Sequence, residues 1–286
     1  MNYLLEIAHL AKDYQAPALR DVSFVLPAGH IMGLAGPNGS GKTTTIKTIL
    51  GLARKKSGTV RVFGRSVDGA DSQTAGRIAV VMDQPFLVED WTVAVAGRTL
   101  APFYPSWDWA LHSAYLSRFR LDPAKRVKEL SRGMKVKLQL AFALSQGADL
   151  LILDEPTAGL DPLARDEVRE LLLEFVADEA KGVLFSTHTT ADLEAIADFI
   201  TLIQAGRTVF TGPKDELLTR YARVAGGPRD LDPAAEGLVI GCRRHQTGFE
   251  GLVEATQSAH LPRQVLRERA SLDEILVFLN RGDEPK

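Results

Sequence analysis

Residues 36–44 read Gly-Pro-Asn-Gly-Ser-Gly-Lys-Thr-Thr, and no other stretch constrains the fold as strongly. Gly36, Gly41, Lys42 and Thr43 meet the spacing G-x-x-x-x-G-K-[ST]. The loop leaves a buried apolar strand, "HIMGLAG" at 30–36, and enters a helix, "TTTIKTILGL". A strand–loop–helix junction of this kind belongs to an α/β sheet. Its glycines let backbone N–H groups converge on phosphate oxygens. Lys42 then supplies a point charge between the outer phosphates, and the Thr43 hydroxyl is placed to ligate Mg²⁺. Pro37, Asn38, Gly39, Ser40 and Thr44 complete the loop and share its binding role.

The rest of the chain continues the alternation. "TVRVFG" (59–64), "RIAVVMD" (77–83), "DLLILDEP" (149–156), "GVLFSTH" (182–188) and "FITLIQAG" (199–206) read as strands. From Trp91 to Gly147 the pattern is helical, which predicts a helical subdomain inserted in the sheet. "AGGPRDLDPAAEG" (225–237) has the Gly, Pro and charge content of a linker. A small tail follows, with a strand at 238–242 and a closing helix, "SLDEILVFLNR". With 34 basic and 36 acidic residues the formal net charge is −2, which argues against a surface that coats nucleic acid. The single cysteine, Cys242, cannot form an internal disulfide, and this fits a reducing compartment. Glu6 and His9 interrupt the N-terminal apolar stretch, so it does not read as a signal peptide. No apolar run approaches the roughly 18 residues of a membrane span. A cytoplasmic protein is expected, and any membrane role requires a partner.

Further chemistry sits at strand ends. Asp154 and Glu155 close "LLILDE" at the carboxyl end of a central strand, where open parallel sheets bind ligands. Asp154 suits Mg²⁺, and Glu155 suits orienting or deprotonating an attacking water. His188 ends "VLFSTH" at the same sheet edge. Gln84 follows "IAVVMD" and is a candidate for the metal or the water. Tyr14, read as preceding the first long strand, offers a flat face to an adenine ring. "ELSRGMKVKLQLAFALSQG" (129–147) is a helix with an odd start. Ser131 is a natural N-cap, but Met134 three residues on closes no capping box. Gly133 in the first turn costs roughly 1 kcal/mol relative to alanine. Arg132, Lys135 and Lys137 crowd the positive end of the helix dipole. The expectation is a helix start uncapped from within, reserved for an anion.

Taken in order, "GPNGSGKTT", Gln84, "LSRGM", "LLILDEP", "AGLD" and "STH" resemble the ATP-binding subunit of ABC transporters over about residues 1–220. The resemblance implies a P-loop NTPase of ABC type, with a mostly parallel core sheet, an N-terminal antiparallel β subdomain and an inserted α-helical subdomain at about 88–147. It implies an ATPase domain over 1–224, and a linker and small α+β accessory domain over 225–286. ATP and Mg²⁺ are the implied ligands, with Thr43, Gln84 and Asp154 toward the metal. Tyr14 then stacks on adenine, Gln84 links the γ-phosphate site to the helical subdomain, and His188 is similar to the family's switch histidine. Asp161 is similar to its aspartate at the dimer interface. Ser131 and Gly133 correspond to signature residues that touch the γ-phosphate held by a second ATPase subunit. Arg132 and Met134 depart from the usual Leu-Ser-Gly-Gly-Gln. "FYPSWDW", "LSRGMKVK" and the tail resemble a bacterial branch whose ATPases pair with separately encoded membrane permeases, often exporters. Peripheral attachment to the inner face of the membrane follows, with Phe86, Leu87 and Trp91 as the permease contact. Soluble ABC-type ATPases of DNA repair or translation are the alternative, but their long coiled-coil insertion or second ATPase copy is absent here.

Overall fold

A computed structural model describes residues 2–67, 72–83 and 87–282. It divides into two compact units, Met1–Thr211 and Gly212–Lys286. The strands of the first unit are β1 (Tyr3–Asp13), β2 (Pro17–Pro27), β3 (Ile31–Ala35), β4 (Ser57–Val62), β5 (Arg65–Ser66), β6 (Ile78–Val81), β7 (Leu150–Asp154), β8 (Gly182–Thr187), β9 (Phe199–Gln204) and β10 (Arg207–Pro213), the last running across the boundary. They form one sheet in the order β5-β4-β1-β2-β10-β9-β3-β8-β7-β6. β3 pairs in parallel with β8 and β9, and β7 with β6 and β8. β1 pairs antiparallel with β2 and β4, so the amino-terminal strands form the antiparallel end of the sheet. Every residue of β3, β7 and β8 is buried, which is why these strands read as continuous apolar runs.

Helix α1 (Lys42–Ile49) leaves β3 through the glycine loop and buries Ile46 and Ile49 against Leu34 and Ile152 of the sheet core. The short α2 (Ser72–Ala75) precedes β6. Between β6 and β7 lie α3 (Val93–Leu100), α4 (Trp109–Arg118) and α5 (Arg132–Ser145), the inserted helical subdomain. α6 (Pro162–Val176) and α7 (Thr190–Ile196) follow β7 and β8. No helix among the described residues is long and apolar enough to cross a membrane.

The second unit contains α8 (Lys214–Arg220), β11 (Tyr221–Gly226), α9 (Pro233–Glu236), β12 (Ile240–His245), β13 (Gly248–Glu254), β14 (Leu266–Arg269) and α10 (Leu272–Gly282). Its strands form a sheet in the order β12-β13-β11-β14, and α10 packs along β12 and β13. The stretch expected to be a linker is part of this unit. Gly227 donates its N–H to Asp230 Oδ2 at 2.6 Å in a tight turn, and Asp232 caps α9 by accepting from the Ala235 N–H. A tight turn and a linker draw on the same residues, so composition placed the division at 224/225 instead of 211/212.

Candidate active site

Three parallel strands end at one place. The loop 36–41 leaves β3, Asp154 ends β7 with Glu155 directly after it, and Ser186 lies near the end of β8 with His188 just beyond it. Gly36 adopts φ +148, and a Cβ there would stand 2.2 Å from the Ile203 carbonyl oxygen. Only glycine fits this exit from the sheet. Gly41 N-caps α1 without a side chain, so the first turn keeps its N–H groups facing outward for an anion. The Ser40 hydroxyl is buried in the loop and has no hydrogen-bond partner among the described residues.

Lys42 is buried, and its Nζ donates to the Gly36 carbonyl at 2.8 Å and the Pro37 carbonyl at 3.3 Å. Glu155 Oε1 stands 3.8 Å away. Burial draws the Lys42 ammonium below the ordinary lysine value, while Glu155 and then Asp154 oppose that fall. Thr43 donates its hydroxyl to Asp154 Oδ1 at 3.2 Å. Ser186 donates to the same oxygen at 2.5 Å and accepts from the Glu155 N–H at 3.1 Å. Glu155 holds φ +52, a strained value for a side chain of its length. Its Oε2 lies 2.7 Å from His188 Nδ1. One alkyl ammonium, two hydroxyls, two carboxylates and an imidazole therefore meet at a helix N-terminus. A hydroxyl beside a carboxylate is the hard oxygen donor set that suits magnesium.

Tyr14 occupies the turn between two long strands, β1 and β2, so it precedes the second long strand and not the first; it is 58% exposed and has Lys12 Nζ 4.6 Å above its ring centroid. Gln84 and Phe86 lie outside the described residues. Leu87 is buried and Trp91 half-buried. The apolar side chains that the helical subdomain does expose are Val88, Phe103, Trp109 and Leu111.

The signature helix starts differently from expectation. Ser131 caps it from within, because its Oγ accepts the Met134 N–H at 3.3 Å. A capping hydroxyl needs no Glu or Gln three residues later, so the missing capping box did not imply a missing cap. The crowded cations are also neutralised inside the chain. Arg132 Nη2 donates to Asp83 Oδ1 at 2.8 Å, Lys135 lies 3.6 Å from Glu89, and Lys137 pairs with Glu167. A Cβ built on Gly133 would meet nothing closer than Leu160 Cδ2 at 3.5 Å, so no steric need within the chain holds a glycine there. Asp161 N-caps α6 by accepting the Ala164 N–H at 3.0 Å, which holds its carboxyl below the ordinary value. Ser186 went unnoticed, although its motif was read for His188; a hydroxyl inside an otherwise apolar strand was the available signal.

The ABC transporter family profile matches residues 19–158. The Nod factor export ATP-binding protein I of Rhizobium leguminosarum bv. viciae is 32% identical over 94% of this chain and 89% of its own length. Its Burkholderia lata counterpart is 37% identical over 69% of this chain and 66% of its own. A solved ATP-binding subunit of an ABC transporter superposes with a TM-score of 0.69 at 32% identity, covering 75% of this chain and 91% of that one. The chain belongs to the ATP-binding proteins of ABC transporters. It is an ABC ATPase, with a P-loop fold that binds ATP and serves as a transporter subunit. The cluster residues Lys42, Thr43, Asp154 and Glu155 fall within the residues matched by the family profile, and the second unit lies outside them.

Proposed function

We propose that this ABC subunit hydrolyses Mg²⁺-ATP at a site shared between two ATPase subunits and so drives a separate membrane permease, in the direction of export. The observation that carries the reading is the Lys42–Glu155–His188 cluster over Asp154 and Thr43. Lys42 exchanges its loop carbonyls for phosphate oxygens, and the loop N–H groups of residues 38–44 bind the rest of the chain of phosphates. Thr43 and Asp154 would hold Mg²⁺, with Gln84 as a third member from outside the described residues. The ion, when bound, neutralises charge developing on the phosphates. Glu155 takes the proton of the attacking water, and His188, hydrogen-bonded to it, keeps the carboxylate aimed. Tyr14 stacks on adenine in place of its present contact with Lys12. Ser131 and Gly133 serve the phosphate bound by the second subunit, and Asp161 lies at that junction.

The permease contact falls on the exposed apolar side chains Phe103 and Trp109, 75% and 51% accessible, rather than on buried Leu87. Apolar surface of this size on a subunit lacking a membrane span suits a protein partner. It would tether the subunit to the inner face of the membrane. The relatives named for Nod factor export favour export.

Glu155→Gln tests the chemistry. The variant should bind ATP, turn it over slowly and elute as a dimer in ATP, whereas Lys42→Ala should lose ATP binding. Near-normal hydrolysis by Glu155→Gln would remove the proposed base. Mixing Lys42→Ala with Ser131→Arg tests the shared site. Half of the randomly exchanged dimers then carry one intact site of two, so activity recovers to roughly a quarter of wild type. A cysteine crosslink between positions 39 and 131 that forms only within one chain would exclude the shared arrangement.

A further inference from the structure

Glu155 and His188 leave neighbouring parallel strands, β7 and β8, on two separate loops. Their own hydrogen bond lies in the open, with the His188 side chain 53% accessible. A second tie joins the same two loops deeper in the fold. Thr157, two residues after Glu155, donates its hydroxyl to Asp192 Oδ2 at 2.6 Å. Asp192 lies four residues after His188, in α7. Both partners of this tie are buried, Thr157 at 4% and Asp192 at 1% exposure. Asp192 is fixed in turn by Arg169 of α6, whose Nε and Nη2 reach its Oδ1 at 3.0 and 2.5 Å. Arg165 Nε lies 4.0 Å from the same oxygen and is buried without a hydrogen-bond partner among the described residues.

A carboxylate with almost no solvent access is retained only where its partners satisfy it fully. Here the partners belong to two segments, the turn after β7 and α6, and Asp192 ties both to the start of α7. The turn needs such an anchor. Glu155 sits at φ +52, and a strained residue keeps its conformation only when its surroundings over-determine it. Its N–H is held from below by Ser186, while Thr157 holds the far side of the turn. Without the Thr157 hydroxyl, the Glu155 carboxylate would be aimed by its ion pair with Lys42 at 3.8 Å and by an exposed contact to His188, with the far side of its own turn left untied.

We infer that Thr157 and Asp192 are positioning residues, a buried clasp that fixes the Glu155–His188 geometry for hydrolysis without touching nucleotide. The inference rests on the proposed catalytic role of Glu155. It assigns the two loops a mechanical unity: a movement of α7 carries Glu155 with it, and α6 is drawn in through Arg169.

The test is steady-state ATP hydrolysis by the full chain, with ATP affinity measured separately by a fluorescent ATP analogue. Thr157→Val preserves shape and removes the hydroxyl, whereas Thr157→Ser keeps it. Thr157→Val should lower kcat roughly ten- to hundredfold, with KM and analogue affinity within about twofold of wild type. Thr157→Ser should restore most of the rate. Asp192→Asn should act in the same direction, and the double variant Thr157→Val/Asp192→Asn should be no slower than the slower single one. A wild-type rate in Thr157→Val, beside an inactive Glu155→Gln control, overturns the clasp while leaving the reading of Glu155 standing. An active Glu155→Gln control instead overturns the catalytic reading itself. Loss of ATP affinity together with kcat in Thr157→Val, or absence of rescue by serine, also overturns the clasp, because both indicate general damage to the fold.

Discussion

Ser186→Ala isolates one hydroxyl at the centre of the site. Ser186 is fully buried, and its Oγ donates to Asp154 Oδ1 at 2.5 Å while accepting the Glu155 N–H at 3.1 Å. The second contact is partly redundant, since the same N–H also reaches the Ser186 backbone carbonyl at 3.1 Å. The first is not. A hydrogen bond to a charged group contributes about 1.5–3 kcal/mol, and among the described residues the weaker Thr43 donor at 3.2 Å would remain on that oxygen. The expected loss is about 2 kcal/mol. For a unit the size of Met1–Thr211, each kcal/mol corresponds to roughly 2–4 °C, so the melting temperature should fall by roughly 4–8 °C. The assay is thermal unfolding of metal-free and nucleotide-free protein, followed by circular dichroism, with Ser186→Thr as the hydroxyl-retaining control. A shift below about 1 °C in Ser186→Ala would refute the argument that this hydroxyl holds the Asp154 carboxylate.

Gly36→Ala should destabilise the first unit by about 2 kcal/mol or more and weaken ATP binding, because its Cβ would meet the Ile203 carbonyl and its φ is +148; unfolding and ATP titration read both. Asp161 has a folded pKa below its ordinary 3.8, owing first to the Ala164 N–H. Its cap is therefore complete above that ordinary value and is lost as pH falls through the folded one, so Asp161→Ala should melt lower than wild type at neutral pH and converge with it in acid. Arg132→Gly removes an ion pair whose side chains are 57% and 46% accessible. Stability should change by no more than about 1 kcal/mol, and unfolding at low and high salt should show the wild-type pair weakening as salt rises.

The strands of the core and the residues at their ends were legible because one physical rule governs both. A strand buried on two faces is a run of apolar residues, and the first polar groups after it stand at the sheet edge. Lys42, Asp154, Glu155 and His188 come from such positions. Contacts between distant segments were not legible in this way. Nothing local marks Asp192 as the partner of Thr157, 35 residues earlier, or Asp83 as the partner of Arg132, 49 residues on. Arg132, Lys135 and Lys137 looked like an unbalanced charge because their carboxylates lie on other elements. Tyr14 was misplaced for a related reason: the β1 strand before it carries Glu6 and His9 and shows irregular register against β2, so its alternation is broken. The division at Thr211/Gly212 falls within β10, where no change of composition announces it.

The internal cap at Ser131 alters how a phosphate would be bound there without excluding it. A hydroxyl has lone pairs for the Met134 N–H and one proton to give. Accepting at 3.3 Å leaves that proton to donate to an oxygen of the second subunit's nucleotide. The pairing of the nearby cations works in the same direction. Because Lys135 and Lys137 already face Glu89 and Glu167, the attraction for an anion at this end of α5 comes from the helix dipole, the Ser131 hydroxyl and the open space beside Gly133. Arg132 is the exception. Its guanidinium is more than half accessible, and a Cβ on Gly159 would approach its Nη1 to 3.0 Å. In the proposed dimer an arriving phosphate therefore competes with Asp83 for Arg132. Exchange of that pair would release the residue next to Gln84 as nucleotide binds across the subunits.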